Sequence, residues 1–147
     1  MPTGLPEPRP GLVIGYSYLW EREYRVGQEE GTKDRPCAVI IAIRSESGDL
    51  VVTVAAITHN RPADPLDGIE LPLKLKRDLG LDEAPSWLIC SELNRFVWPG
   101  PDLRPVSRRK PGQFAYGVLP NAFMLRVFDL LTELRAMRRP RIIVRSP

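Results

Sequence analysis

The sequence predicts a mainly β chain with some α structure, in which short strands joined by hairpin turns are closed by one amphipathic helix. Three observations predict it. Apolar runs rich in β-branched and aromatic residues recur at close spacing, at residues 11–20, 36–45, 50–58 and 86–97. Turn residues separate them, most clearly Ser47, Gly48 and Asp49. Near the end, Phe123, Val127, Leu130, Leu131 and Leu134 fall at helical spacing. Closely spaced strands followed by such a helix form a small, twisted barrel or half-barrel with helices packed on it.

The elements follow in order. GLVIGYSYLW (residues 11–20) is a strand. Residues 21–34 are charged and carry Gly27 and Gly31; a short helix fits there, but a long mobile loop fits better. PCAVIIAIRS (36–45) is nearly all apolar and reads as a strand buried on both faces. The Ser-Gly-Asp turn sends LVVTVAAIT (50–58) back beside it. HNRPADPLDG (59–68) is a loop. IELPLKL (69–75) alternates apolar and polar residues, a half-exposed strand whose Pro72 places it at an edge. KRDLGLDEAP (76–85) is a turn of helix or a loop, and SWLICSELNRFV (86–97) is a buried strand that becomes polar at its end. Residues 98–112 are mostly loop, and 106–119 has room for a short strand. Pro120 opens the closing helix, Arg135, Arg138 and Arg139 suit its C-terminal dipole, and Pro140 stops it. RIIVR (141–145) is a short terminal strand or a sticky tail.

With 147 residues and 43% of them hydrophobic, the chain is long enough for one domain with a real core and short for two. That domain spans 1–147, with a proline-rich flexible arm at 1–10, a body at 11–139 and a basic tail at 140–147. No apolar run approaches the roughly 20 residues that cross a bilayer. The opening MPTGLPEPRPG has no apolar stretch of the signal-peptide kind. Cys37 and Cys90 sit inside apolar runs, as buried thiols of a reducing, cytoplasmic setting do; Arg35 nearby keeps a reactive Cys37 open. The net charge of +3 permits a nucleic-acid partner without requiring one. The basic residues gather in LRPVSRRKPG (103–112) and LRAMRRPRIIVR (134–145), and the acids in 21–34 and 78–85. One histidine and two strand-buried cysteines make no metal-ligand set, and no glycine-rich phosphate loop is present, so neither a metal nor another cofactor is expected.

Four segments together resemble the toxin ribonucleases of the MazF/PemK type. RPCAVIIAI (35–43) follows the loop GQEEGTKD as that family's Arg-Pro strand follows its glycine-containing loop. VVTVAAIT (51–58) is similar to its strand ending in Ile-Thr. SWLICSELNRF (86–96) stands where its strand runs toward Gln-Ile-Arg, and the amphipathic helix closes the match, which covers about residues 11–134. The resemblance implies an SH3-like small barrel with the C-terminal helix packed on it, a homodimer, and cytoplasmic cleavage of single-stranded RNA without a metal, by attack of the ribose 2′-hydroxyl on the neighbouring phosphate. It implies an antitoxin protein that lays a disordered acidic segment across the RNA groove.

Carried over residue by residue, the resemblance places Arg35 and Thr58 at the scissile phosphate. Taken alone, these two read as a surface arginine before a strand and a β-branched strand end. The chemistry suits them: a fixed guanidinium holds two phosphate oxygens by paired hydrogen bonds, and a hydroxyl donates to the phosphate. His59, the single histidine, is the third candidate, for proton transfer or base stacking, although strand alternation sends it to the face opposite Thr58. Lys33, Asn60, Arg61, Asn94, Arg95 and Trp98 are candidate RNA contacts, with Trp20, Phe96 and Tyr116 as further stacking groups. Two features depart from the family. Asn94 stands at its second arginine, with Arg95 one residue off and therefore on the other strand face. The first loop is longer and more acidic, with Glu29 and Glu30. A non-catalytic small barrel that binds RNA or a protein is the competing expectation.

Overall fold

The computed structural model describes residues 5–28, 31, 33–137 and 139–146. The expectations for Glu29, Glu30, Arg138 and the first four residues of the arm lie outside them. Among the described residues the chain forms nine strands and three α-helices, a mainly antiparallel open sheet with helices against it. No described helix is long and apolar enough to cross a membrane.

The centre of the sheet is the hairpin of β2 (Arg35–Arg44) and β3 (Leu50–Thr58). Its turn is the expected one: Gly48 takes a φ of 92°, which a side chain resists, and Ser45 N donates to Asp49 O at 2.7 Å. Cys37 pairs with Ala56 and Ala38 with Ala55. The same register, two residues on, puts Arg35 at the start of β2 across from Thr58 at the end of β3. β1 (Leu12–Tyr16) pairs with the other edge of β2.

Side chains alternate along these strands and build a core on each face. Leu12, Ile14 and Tyr16 join Cys37, Val39, Val52, Val54, Ala56 and Phe96 on one side. Val13, Ala38, Ile40, Ala55 and Ile57 lie on the other, under α3 (Asn121–Ala136). That helix buries Phe123, Met124, Val127 and Leu134; Leu130 and Leu131 are only half-buried. The helices cover one end of the hairpin. β2 is therefore buried on both faces only from Cys37 to Ile40, and Ile41 and Ile43 are exposed, against the expectation of a strand buried throughout.

The sequence misplaced several boundaries. The expected strand at 69–75 is β4 (Gly68–Glu70), followed by α2 (Leu73–Asp78). Leu71, Leu75 and Leu79 satisfy a helical spacing as well as an alternating one, and Pro72 suits the start of a helix. The expected strand at 86–97 is two, β5 (Trp87–Ile89) and β6 (Glu92–Val97), because its pairing with β3 slips between Leu88↔Ile57 and Asn94↔Val54. The 21–34 segment holds a short helix, α1 (Glu21–Arg25), where Glu23 Oε1 accepts from Trp20 N at 3.0 Å. β7 (Leu103–Arg104) and β8 (Ala115–Val118) both pair with β1.

Of the two expectations for RIIVR, the terminal strand forms and the basic tail at 140–147 does not: β9 (Arg141–Val144) runs parallel to β6 and carries Arg145 into the interior. Arg145 donates from Nη1 to Ser17 O at 2.7 Å and to Asn94 Oδ1 at 2.9 Å, and Nη2 lies 3.1 Å from Asp102. Asn94 in turn receives Leu19 N at 2.9 Å and donates to Leu19 O at 2.8 Å. This clasp ties β9 and β6 to the segment that follows β1.

Candidate functional site

The two ends of the central hairpin bring Arg35 and Thr58 together. Arg35 Nη1 donates to Thr58 Oγ1 across 3.5 Å, a long bond that leaves most of the guanidinium edge for another acceptor. The guanidinium lies over the Trp20 ring, 5.4 Å from its centroid, within reach of a cation–π attraction that holds it at the cleft. Partial burial of Arg35 lowers its pKa from the ordinary arginine value, yet a guanidinium stays protonated in a protein. Thr58 is buried, and its oxygen also accepts from Asn60 N at 3.2 Å. With two donors on that oxygen, the hydroxyl hydrogen is directed to a further acceptor. A half-buried cation beside a directed O–H suits a phosphate oxygen.

Three clefts meet at this pair. The first, of about 360 Å³, runs along Trp20, Arg22, Asn60 and Arg61 and has Thr58 in its wall. The second, of about 280 Å³, holds Lys33, Arg35, Thr58, His59 and Tyr116. The third, of about 330 Å³, shares Asp34, Arg35 and Tyr116 with the second and continues to Arg108. Thr58 is thus a wall shared by the first two clefts and Arg35 a wall shared by the last two; the three neighbouring clefts together make up the trough.

His59 follows the last residue of β3, so strand alternation does not hold it away, and it lines the second cleft together with Thr58. Its Nε2 lies 3.0 Å from Asp82 Oδ1. Asp82 Oδ1 also receives Lys76 Nζ at 3.2 Å and Ala84 N at 3.1 Å. Desolvation pushes the Asp82 carboxyl up, but the bonds from His59 and Lys76 outweigh it and hold the group below the usual carboxylate range. Lys76 is 2% exposed and donates to Ala84 O as well, so its ammonium pins the loop that carries Asp82. Neither Lys76 nor Asp82 stood out in the sequence. Residues 69–75 read as a strand, which hid the helix that turns Lys76 inward, and Asp82 read as one of a run of surface acids.

The other expected contacts divide. Lys33, Asn60 and Arg61 are exposed at the clefts, with the Arg61 guanidinium 5.8 Å from the Trp87 ring centroid. Trp20 and Tyr116 are half-buried in the trough walls. Asn94, Arg95 and Trp98 are not brought to it. Asn94 is fully buried in the clasp. Arg95 donates from Nε to Thr53 Oγ1 at 3.4 Å. Trp98 packs on Phe96, itself buried against Tyr16. Cys37 is fully buried, and burial pushes its thiol far up despite Arg35 and Arg145, so the reactive Cys37 left open by the sequence does not form. Burial likewise pushes Cys90 up to about 12. Among the described residues no three His, Cys, Asp or Glu side chains gather to hold a metal ion.

No family of known proteins, no curated protein and no solved structure matches the chain.

Proposed function

We propose that the chain is an endoribonuclease that cleaves single-stranded RNA in the trough, with Arg35 and Thr58 at the reacting phosphate. The observation that carries the reading is their convergence: a guanidinium held over Trp20 and a hydroxyl with a directed hydrogen, in the walls that three neighbouring clefts share. The ribose 2′-hydroxyl attacks the adjacent phosphorus. A 2′,3′-cyclic phosphate forms, the P–O5′ bond breaks, and the 5′-oxygen leaves with a proton. Charge builds on the non-bridging oxygens, where Arg35 donates two hydrogen bonds and Thr58 one. His59, oriented by Asp82, moves the proton.

The resemblance to the MazF/PemK-type toxins, an SH3-like barrel with its closing helix, supports the same reading. It extends it to a homodimeric, metal-independent cytoplasmic toxin of a type II toxin–antitoxin system, restrained by a partner whose acidic disordered segment occupies the trough. The test is incubation with a long single-stranded RNA in EDTA beside Arg35→Ala and His59→Ala. Discrete fragments ending in a 2′,3′-cyclic phosphate, lost in Arg35→Ala, are expected. Full cleavage by Arg35→Ala would sink the assignment of Arg35, and full cleavage by His59→Ala would remove His59 from the mechanism.

One observation favours a second reading, a barrel that binds RNA or a protein without cutting it. The position of the family's second arginine is held by Asn94, which is buried in the clasp, so β6 supplies no second cation to the trough. Bound but intact RNA with every variant would select that reading.

A further inference from the structure

The loop between β7 and β8 lies beside the trough, and neither the hairpin nor the catalytic pair accounts for it. It is an ordered turn. Val106 N donates to Gln113 O at 2.8 Å, Lys110 N to Ser107 O at 3.1 Å, and Gln113 N to Lys110 O at 3.0 Å. Ser107 Oγ accepts from Arg109 N at 3.0 Å. On this scaffold stand Arg108, Arg109 and Lys110, all exposed. Many cations elsewhere are matched: Arg25 and Arg141 with Glu21, Lys74 with Asp78, Arg77 with Glu83, Arg104 with Asp34 and Arg139 with Asp67. Among the described residues these three form no ion pair. Arg108 lines the third cleft together with Arg35 and the half-buried Tyr116, and Arg109 and Lys110 follow it on the same turn.

We infer that this loop is the arm of the trough that grips the phosphodiester backbone of a single-stranded RNA beside the reacting phosphate. The inference rests on the reading of the trough as an RNA site. Three unmatched cations on an ordered turn answer a row of phosphates, and an aromatic face next to them answers a base. An acidic peptide would use the cations but bring nothing to stack on Tyr116.

The test is the salt dependence of binding, read by fluorescence anisotropy with a labelled, uncleavable 2′-O-methyl oligoribonucleotide of about 20 nucleotides. Each single-strand phosphate contact contributes about 0.7 to the slope of log K against log salt. A variant carrying Arg108→Ala, Arg109→Ala and Lys110→Ala is therefore expected to bind with a slope shallower by about 2, and at least about tenfold more weakly at low salt. The control, Arg44→Ala with Arg135→Ala, removes exposed charge at the far end of β2 and at the end of α3 and is expected to match the wild type. An unchanged slope in the loop variant overturns the inference. So does a loop variant that keeps RNA binding but loses binding of polyglutamate, which would assign the loop to an acidic protein. A wild type that binds RNA with the loop-dependent slope yet leaves ordinary RNA intact upholds the arm and sinks the cleavage reading. Cleavage with a loop-independent slope does the reverse, and absence of RNA binding sinks both.

Discussion

Two arginines of this chain each lie over an aromatic ring and each touch a polar side chain on a strand, and they do different work. Arg145 lies 5.4 Å from the Tyr16 ring centroid, and its guanidinium meets Ser17 O, Asn94 and the buried Asp102. Arg35 lies 5.4 Å from the Trp20 ring centroid, and its hydrogen-bond contact among the described residues is one long bond to Thr58. Arg145 is 5% exposed, whereas Arg35 opens onto two clefts. A buried cation is stable only when its charge and donors are matched, and a half-exposed one can leave donors for a ligand. The difference separates an arginine that closes the sheet from one held ready at a site.

Breaking the closed arginine should give the largest effect on stability. Arg145→Ala leaves Asp102 buried without the guanidinium and removes a partner from Asn94, and loss of one partner from a buried pair costs about 3–5 kcal/mol. Urea denaturation should show that loss, with cleavage falling only as the folded fraction falls. A loss under about 1 kcal/mol would mean that the clasp is screened as a surface pair is. Arg35→Ala should behave in the opposite way. Stability should change by less than about 1 kcal/mol, while cleavage falls by about 10²–10³, the effect of removing one preorganised donor from a developing oxyanion. Arg35→Lys should recover little, since an ammonium cannot give the paired bonds of a planar guanidinium held over Trp20.

Much of the site was legible and much of the clasp was not, for a physical reason. The apolar runs and the turn between them made the hairpin legible, and with it the nearness of its two open ends, while the choice of Arg35 and Thr58 came from the resemblance. The clasp joins residues 17–19, 94, 102 and 145, and no period or turn links such distant positions. Asn94 therefore read as a replaced RNA contact and Arg145 as part of a tail. Lys76 was hidden in a related way: Leu71, Leu73 and Leu75 fit an alternating pattern until Pro72 is seen to start a helix.

The buried Cys37 thiol feels both arginines, which offers a smaller and sharper comparison. Burial keeps the Cys37 and Cys90 thiols protonated in the folded chain, with Cys90 at about 12. The unfolded thiols ionise near their ordinary 9.0. A folded pKa above the unfolded one means that stability is complete below about pH 9 and is lost as pH rises toward the folded value, by up to about 1.4 kcal/mol per pH unit for each thiol. Native protein at pH 8 should leave a thiol reagent such as Ellman's unreacted, and both cysteines should react once the chain unfolds. Rapid reaction of Cys37 in the native state would mean that the floor beneath Arg35 opens.

The smallest effect belongs to Asp82, which stands between the two extremes: it holds buried Lys76 on one side and exposed His59 on the other. Its carboxyl is held below the usual range, so its contribution is present above the unfolded value near 3.9 and is lost as pH falls through the lower folded value. Because Asp82 is 59% exposed, that contribution is screened to less than about 1 kcal/mol. Asp82→Asn should therefore lower stability slightly at pH 7 and not at all once the pH has fallen below the folded value, where both proteins carry a neutral group. If His59 moves the proton, the same substitution should reduce cleavage by less than His59→Ala does, because the ring stays in the cleft and loses only the partner that fixes its tautomer. Equal cleavage by Asp82→Asn and the wild type, with His59→Ala inactive, would show that the ring works without that partner and reduce Asp82 to a brace for Lys76.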